Sequence, residues 1–512
     1  MKNCKFKNFK NKIDQFYGVK EKGSSLKIEI IAGIATFLAM AYILIVNPNN
    51  ILYNTGVNDP RWSSIFIATS FGAVIGTLLM SFLAKMPLAQ APGLGLNSAI
   101  GGLIGGGAGA ISGGIMPLPT ALLLVFFSGI IFLLLSIIPC GKDQNGNRIS
   151  LREKMFEGIP KSIRIAIPVG IGLFIAFIGL QNANIIVDNP HTKVALVNFG
   201  DLSLYENGGP AAQAVVCLLG LLVIGVFSHF NIKGAVIFGI LFATILGIPL
   251  GVSNIDTLLG NTEGVTWKFW ENFTNFFCMD SNNGGMFLAI FTEGFAGLNK
   301  EIISVSIVTI ISFCMIDMFD TMGTVVGCTT NVGLIDEKGK PLNYSKIMYS
   351  DSIATCIGAI CGTSTVTTFV ESGVGVAAGG RTGFSSLITA VLFFLSIFIL
   401  PIFAFIPSAA AAPALIYVGV LMMRSVVDID FSKIRYAVPA FLTIIMMPLT
   451  YSITTGIGIG IISYVVITII IYIVDFISYK TSKDTNKKKP ILDLSVVILC
   501  VFVLFIIYFL TK

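Results

Sequence analysis

Residues 362–381 open Gly362-Thr363-Ser364-Thr365-Val366-Thr367-Thr368-Phe369-Val370-Glu371-Ser372-Gly373-Val374-Gly375 and continue through Ala377-Ala378-Gly379-Gly380 to Arg381. The threonines at the front are β-branched and disfavour helix, whereas the small residues that follow suit one. A second stretch has the same design: Pro87-Leu88-Ala89-Gln90-Ala91-Pro92-Gly93-Leu94-Gly95-Leu96-Asn97-Ser98, followed by a run of glycines. Here Pro and Gly oppose the helix at the start. Each reads as a short extended stretch leading into a half-helix. A half-helix that starts within a membrane leaves N–H groups unpaired at its first turn. Such backbone is tolerated at that depth only where protein buries it or it lines a cavity. Asn97 and Glu371 fall at equivalent places, just inside the two half-helices.

The composition puts both stretches in a bilayer. Of 512 residues, 54% are hydrophobic and 12% charged, against about 25% charged in a soluble domain. The mean hydropathy is +0.86. A span needs about 20 apolar residues, and segments of that kind lie near 28–47, 64–84, 90–106, 119–139, 163–181, 212–229 and 234–250. After a polar stretch they resume near 302–328, 347–361, 366–380, 384–406, 409–424, 437–451 and 456–475, with one more at 491–510. The expected fold is an all-α integral membrane protein of about fourteen spans. The lysine-rich start, about 27 residues long, lacks the small-residue cleavage pattern of a signal peptide.

Charge placement orients the chain. With the N-terminus inside and the spans alternating, 28 of the 33 Lys and Arg fall on the cytoplasmic side, as the positive-inside rule requires. The outside set is Arg61, Lys193, Lys268, Lys300 and, where the last segment crosses and does not lie along the membrane surface, Lys512. The net charge of +6 therefore speaks of topology and not of nucleic acid. The two sets of seven also look like copies. Residues 222–244 (LVIGVFSHFNIKGAVIFGILFAT) and 444–466 (IIMMPLTYSITTGIGIGIISYVV) are both apolar runs joined through a polar break, at matching places. An odd number of spans per copy inverts the second relative to the first, which is the inverted repeat of alternating-access carriers. The division is a tail at 1–27, repeats at 28–250 and 302–475, and a connection at 251–301 whose Trp267 and Trp270 suit a membrane interface. A basic loop and apolar segment at 476–512 complete it.

Three features carry chemistry. A carboxylate at mid-membrane is costly and rare without a role, which singles out Glu371. Asp317 and Asp320, in Asp317-Met318-Phe319-Asp320-Thr321-Met322-Gly323-Thr324, stand three apart and so share a helix face. Two carboxylates so placed repel in low dielectric, and a carboxyl able to take up and release a proton is what proton coupling needs. A capping role is the simpler alternative for Asn97 and for Asp320. A flat nucleobase presents N–H donors beside ring-nitrogen acceptors. Carboxylates meet the donors, half-helix N–H groups meet the acceptors, and Phe319 or Phe369 offers a stacking face. Two histidines, His191 and His229, are too few for a histidine metal site. No cysteine pair is spaced as CxxC; Cys217, Cys278, Cys314, Cys328, Cys356 and Cys361 read as small apolar residues without a disulfide framework.

The motifs MAYILIVNP (40–48), APGLGLN (91–97), FDTMGT (319–324) and TSTVTTFVESGVGVAAGGRTG (363–383) resemble the AzgA-like adenine/guanine/hypoxanthine permeases of the nucleobase–ascorbate transporter superfamily, from about residue 15 to 475. The resemblance implies two inverted seven-span repeats, with a core (spans 1–4 and 8–11) moving against a gate (spans 5–7 and 12–14). It implies proton symport of a purine base, a homodimer in the plasma or inner membrane, and no cofactor. Carried over by position, Asp317 and Glu371 are the principal base ligands and Asn97 supports them. Thr368 joins the substrate-binding set, and Asp320 shapes the site or couples the proton. Ser98 and Ile100 depart from the family's Ala and aromatic residue, which bears on substrate choice. The segment at 491–510 lies outside the pattern.

Rival classes fit less well. An anion carrier of the same architecture needs a positive site or bare helix dipoles, and this core is acidic. A membrane aspartyl protease needs carboxylates converging from separate elements, whereas Asp317 and Asp320 share one. Paired carboxylates and broken helices also suit a binding site better than a channel.

Overall fold

The computed structural model describes residues 11–52, 56–105, 115–142, 148–152, 154, 158–189, 191–230, 232, 234–259, 265–278, 280, 284–298, 300–330, 333–335, 341–481, 492 and 494–511. Along the chain run α1 (Leu26–Met40), α2 (Ile43–Ile51), α3 (Arg61–Leu79), β1 (Gln90–Pro92), α4 (Leu94–Leu103), α5 (Leu118–Ile137) and α6 (Lys161–Asn182). Next come α7 (Pro210–His229), α8 (Ala235–Gly247), α9 (Phe269–Phe277), α10 (Lys300–Thr330), α11 (Tyr344–Cys361), β2 (Val366–Thr368) and α12 (Ser372–Ala377). The last are α13 (Gly383–Ser396), α14 (Ser408–Met423), α15 (Ile434–Leu449), α16 (Ile453–Thr481) and α17 (Val496–Thr511). Each segment expected from hydropathy has a helix, or a strand and helix, at its place. Among the described residues nine helical stretches, several of them joining consecutive elements such as Leu26–Ile51, are long and apolar enough to cross a membrane. Two short β-hairpins, Ile186–Asn189 with Lys193–Leu196 and Pro139–Lys142 with Arg148–Ser150, were not expected. They are loop ornaments too short for hydropathy to reveal.

The chain forms two compact units. The first is Met1–Leu134 with Ala176–Tyr417, and the second is Leu135–Ile175 with Val418–Lys512. At the centre of the first unit the two extended stretches meet. β1 pairs antiparallel with β2, with Gln90 opposite Thr368, Ala91 opposite Thr367 and Pro92 opposite Val366. Gly93 N donates to Thr365 O (2.8 Å), and Phe369 N donates to Ala89 O (3.1 Å). Each stretch thus satisfies the other's backbone where no water can. The pair is packed close: a Cβ on Gly76 of α3 would lie 2.8 Å from Val366 Cγ1 and 2.9 Å from Gln90 Oε1. A Cβ on Gly358 of α11 would lie 2.6 Å from Val366 Cγ2.

The first apolar segment forms one helical stretch, Leu26–Ile51, with a slight irregularity at Ala41 and Tyr42 between α1 and α2, both of which keep right-handed helical angles. The N-terminal stretch, expected as a tail, is docked where it is described. Tyr17 and Val19 are buried against Phe384, and the Tyr17 hydroxyl bonds Ser81 Oγ at 2.8 Å. Trp267 and Trp270 are exposed beside and on α9.

In the second unit α15 and α16 form a tight hairpin, because Gly456 and Gly460 present no side chain to Met447 and Thr443. The Arg435 guanidinium lies over the rings of Tyr436 (5.5 Å) and Tyr464 (5.7 Å). α17 packs lengthwise on α16. Gly458 faces the Phe505 ring, and Ile498 shares a cavity wall with Tyr464, so the two helices run antiparallel. The last apolar segment therefore lies alongside its neighbour's apolar stretch.

Candidate functional site

The crossing of β1 and β2 gathers polar side chains from five segments of the first unit. α10 supplies Asp317, which is buried and accepts from Thr355 Oγ1 at 3.2 Å. One helical turn on, Asp320 is half-buried and accepts from Thr367 Oγ1 of β2 at 3.4 Å. Glu371 immediately precedes α12, is buried, and accepts from the Tyr42 hydroxyl at 2.5 Å. Tyr42 reaches it from the turn that joins α1 to α2, where the backbone keeps right-handed helical angles. Thr368 is buried and accepts from Gln90 Nε2 at 3.5 Å across the strand pair.

Asn97 is the fourth residue of α4, fully buried, and bonded through Oδ1 to Ser364 Oγ. The cap of that helix is Gly93, so Asn97 is not spent on capping. Its Nδ2 has no partner among the described residues, nor has Gln90 Oε1 or Thr365 Oγ1. An unmet buried polar atom costs about 1–3 kcal/mol. The centre therefore offers a donor and acceptors to an incoming polar molecule. All five expected site residues converge here. Phe369 is buried beside them, and the Phe319 side chain lies outside the described residues.

Four contributors escaped sequence reasoning. Asp351 of α11 is fully buried and accepts from Thr321 Oγ1 (2.7 Å) and Gln90 Nε2 (3.3 Å). It lies in an apolar segment, so the rule that marked Glu371 would have marked it as well. Asn47 donates to Thr69 Oγ1 (2.6 Å) and Thr363 Oγ1 (2.8 Å), tying the first segment to the tenth. Tyr42 and Gln90 carry no pattern that sets them apart from other membrane residues.

The site is acidic. Asp320 lies within electrostatic reach of Asp351 and Glu371, and the partners named above are hydroxyls and an amide. Arg381, the cation nearest in sequence to Glu371, spends its Nη1 on the carbonyls of Val376 (2.7 Å) and Gly380 (2.8 Å). Its backbone N–H donates to Glu29 (2.9 Å), a buried carboxylate that also receives Ser385 N–H (3.2 Å) at the start of α13. Among the described residues no cluster of His, Cys, Asp and Glu is placed to hold a metal ion.

Comparison with known proteins sets this geometry in context. Residues 27–459 match the Xan_ur_permease family, described as "Permease family". The chain is similar to the adenine permease AdeP of Escherichia coli (strain K12), 35% identical over 89% of this chain and 90% of that protein. It is also similar to the guanine/hypoxanthine permease PbuO of Bacillus subtilis (strain 168), 37% identical over 88% of this chain and 93% of that one. Among solved structures it shares its fold with the transmembrane domain of a cyanobacterial bicarbonate transporter, BicA. The TM-score is 0.55 at 16% identity, covering 84% of this chain and 97% of that domain.

Proposed function

The chain belongs to the Permease family, a multi-pass membrane transporter and not an enzyme, and from that premise we propose that it imports purine nucleobases by proton symport. The observation that carries the proposal is the group of carboxylates at the β1–β2 crossing (Asp317, Asp351 and Glu371 buried, Asp320 half-buried), met by hydroxyls and an amide. A purine base is neutral and rich in N–H donors, so it complements acceptors that an anion would repel. The likeness to a bicarbonate transporter is one of fold alone.

In this proposal Asp317 and Glu371 accept base N–H groups. Asn97 Nδ2 donates to a ring acceptor, and Thr368 steadies the strand edge of the site. Asp320, close to Asp351 and Glu371, is the group that exchanges the coupled proton. Binding on one face and release on the other follow from alternating access of core against gate. The protein works as a homodimer in the cell membrane with its N-terminus in the cytoplasm.

Uptake of radiolabelled adenine, guanine, hypoxanthine and uracil into cells lacking their own base carriers tests this. Purine uptake is expected, abolished by a protonophore and by Glu371→Gln. Membrane-inserted protein that takes up no purine refutes the substrate class. Uptake untouched by the protonophore refutes symport, and uptake untouched by Glu371→Gln refutes the site.

A further inference from the structure

The second unit holds a cavity of about 460 Å³, built by the start of α6, the loop between α14 and α15, α16 and the beginning of α17. That size suits a small organic group. Its apolar wall includes Ile159, Tyr464 and Ile498, all buried. Lys161, Arg164 and Asp428 bring charge to the same space. Neither Lys161 nor Asp428 has an ion-pair or hydrogen-bond partner for its side chain among the described residues. Ser162 also lines the cavity; it is 8% exposed and its Oγ has no partner among the described residues. Asp430 is already committed to Lys433 (3.2 Å) and Ser432. Lys161 and Asp428 thus face one cavity without an ion pair between them, next to a buried hydroxyl that lacks a partner among the described residues.

A ligand bearing both an anionic oxygen and a protonated amine satisfies all of these groups. The surroundings say where it comes from. Beyond Ile498, α17 exposes Leu499, Val503, Leu504 and Leu510, an aliphatic face suited to acyl chains that leads away from the charged loops toward the membrane interior. Charged loops at the rim mark headgroup depth.

We propose that this cavity binds the headgroup of a phospholipid with a phosphate and a primary ammonium, of the phosphoethanolamine type. Lys161 and Ser162 Oγ take the phosphate oxygens, and Asp428 accepts from the ammonium. This gives a purpose to α17, which lies beyond the residues matched by the family. Ser495 Oγ donates to Gly158 O at 2.7 Å and fastens the start of α17 over the cavity.

The test is binding of dioctanoyl lipids to the purified full-length protein by native mass spectrometry. Ethanolamine, choline and glycerol headgroups are compared, with water-soluble glycerophosphoethanolamine as a further probe. The ethanolamine lipid is expected to bind about tenfold more tightly than the choline or glycerol lipid, in line with a charge-assisted hydrogen bond. Asp428→Asn should erase that preference and Lys161→Gln should weaken all three lipids, while Asp201→Asn, on an exposed loop far along the chain, changes nothing. Equal binding of the three headgroups by the native protein overturns the proposal, as does a preference that survives Asp428→Asn. Glycerophosphoethanolamine binding as tightly as the lipid overturns the assignment to a membrane lipid.

Discussion

Tyr42 sends a single hydroxyl into the site, and that hydroxyl fixes one oxygen of Glu371. The other oxygen is then turned to a defined direction. A hydrogen bond to an ionised group is worth about 1.5–3 kcal/mol, which is roughly a 10- to 100-fold change in an equilibrium. Tyr42→Phe keeps the ring and its packing while deleting the bond. It is expected to raise the KM for purine uptake by about tenfold at unchanged membrane abundance. A KM equal to that of the native protein would show that Glu371 is presented without Tyr42. At this scale cost is the legible signal: a carboxylate in an apolar segment is expensive whatever its neighbours, and Asp351 carries that signal as Glu371 does. Sequence reasoning failed for Tyr42 and Asn47, since neither residue is costly in a membrane and each acquires meaning only from its partner.

The β1–β2 pair is the element on which the site is built. Its backbone accounts are closed by pairing, and its packing depends on glycines at 72, 76 and 358. Gly358→Ala would set a methyl about 2.6 Å from Val366 Cγ2, inside any contact that real side chains make. Overpacking of this kind costs about 1–3 kcal/mol. Gly358→Ala is expected to lower the yield of monodisperse protein in fluorescence-detected gel filtration and to cut uptake. Adding Val366→Ala should restore both, because the clash is removed from the other side. Failure of that rescue would place the limiting contact on the Ser364 carbonyl, 3.0 Å from the same methyl. The two stretches were legible as extended-then-helical from Pro, Gly and β-branched residues. That they cross and pair with each other was not, because strand register is set by partners about 275 residues apart along the chain.

For the whole molecule, the asymmetry of Lys and Arg sets the expected orientation. In a background without native cysteines, a membrane-impermeant maleimide should label Asp256→Cys in intact cells. Lys12→Cys should react only after the membrane is opened. The reverse pattern would invert the topology and move the cavity beside α17 to the outer leaflet. The two compact units follow packing, whereas the two repeats follow sequence, and neither division can be deduced from the other. α17 illustrates the difference: its apolar composition names no partner, and its packing against Gly458 of α16 is a fact of the fold alone.

The sequence by itself determined the solvent of this protein, the places of its helices, the two broken segments and the carboxylates that pay to be there. These are local properties: each depends on what a residue costs in hydrocarbon or on which backbone angles it prefers. Tertiary structure alone decided which hydroxyl meets which carboxylate, that Asp351 and Gln90 join the site, and how the last helix returns along its neighbour. Those facts depend on distances between residues remote in the chain. Hydrogen bonds act over about 3 Å, and only the packed fold brings such partners within that reach.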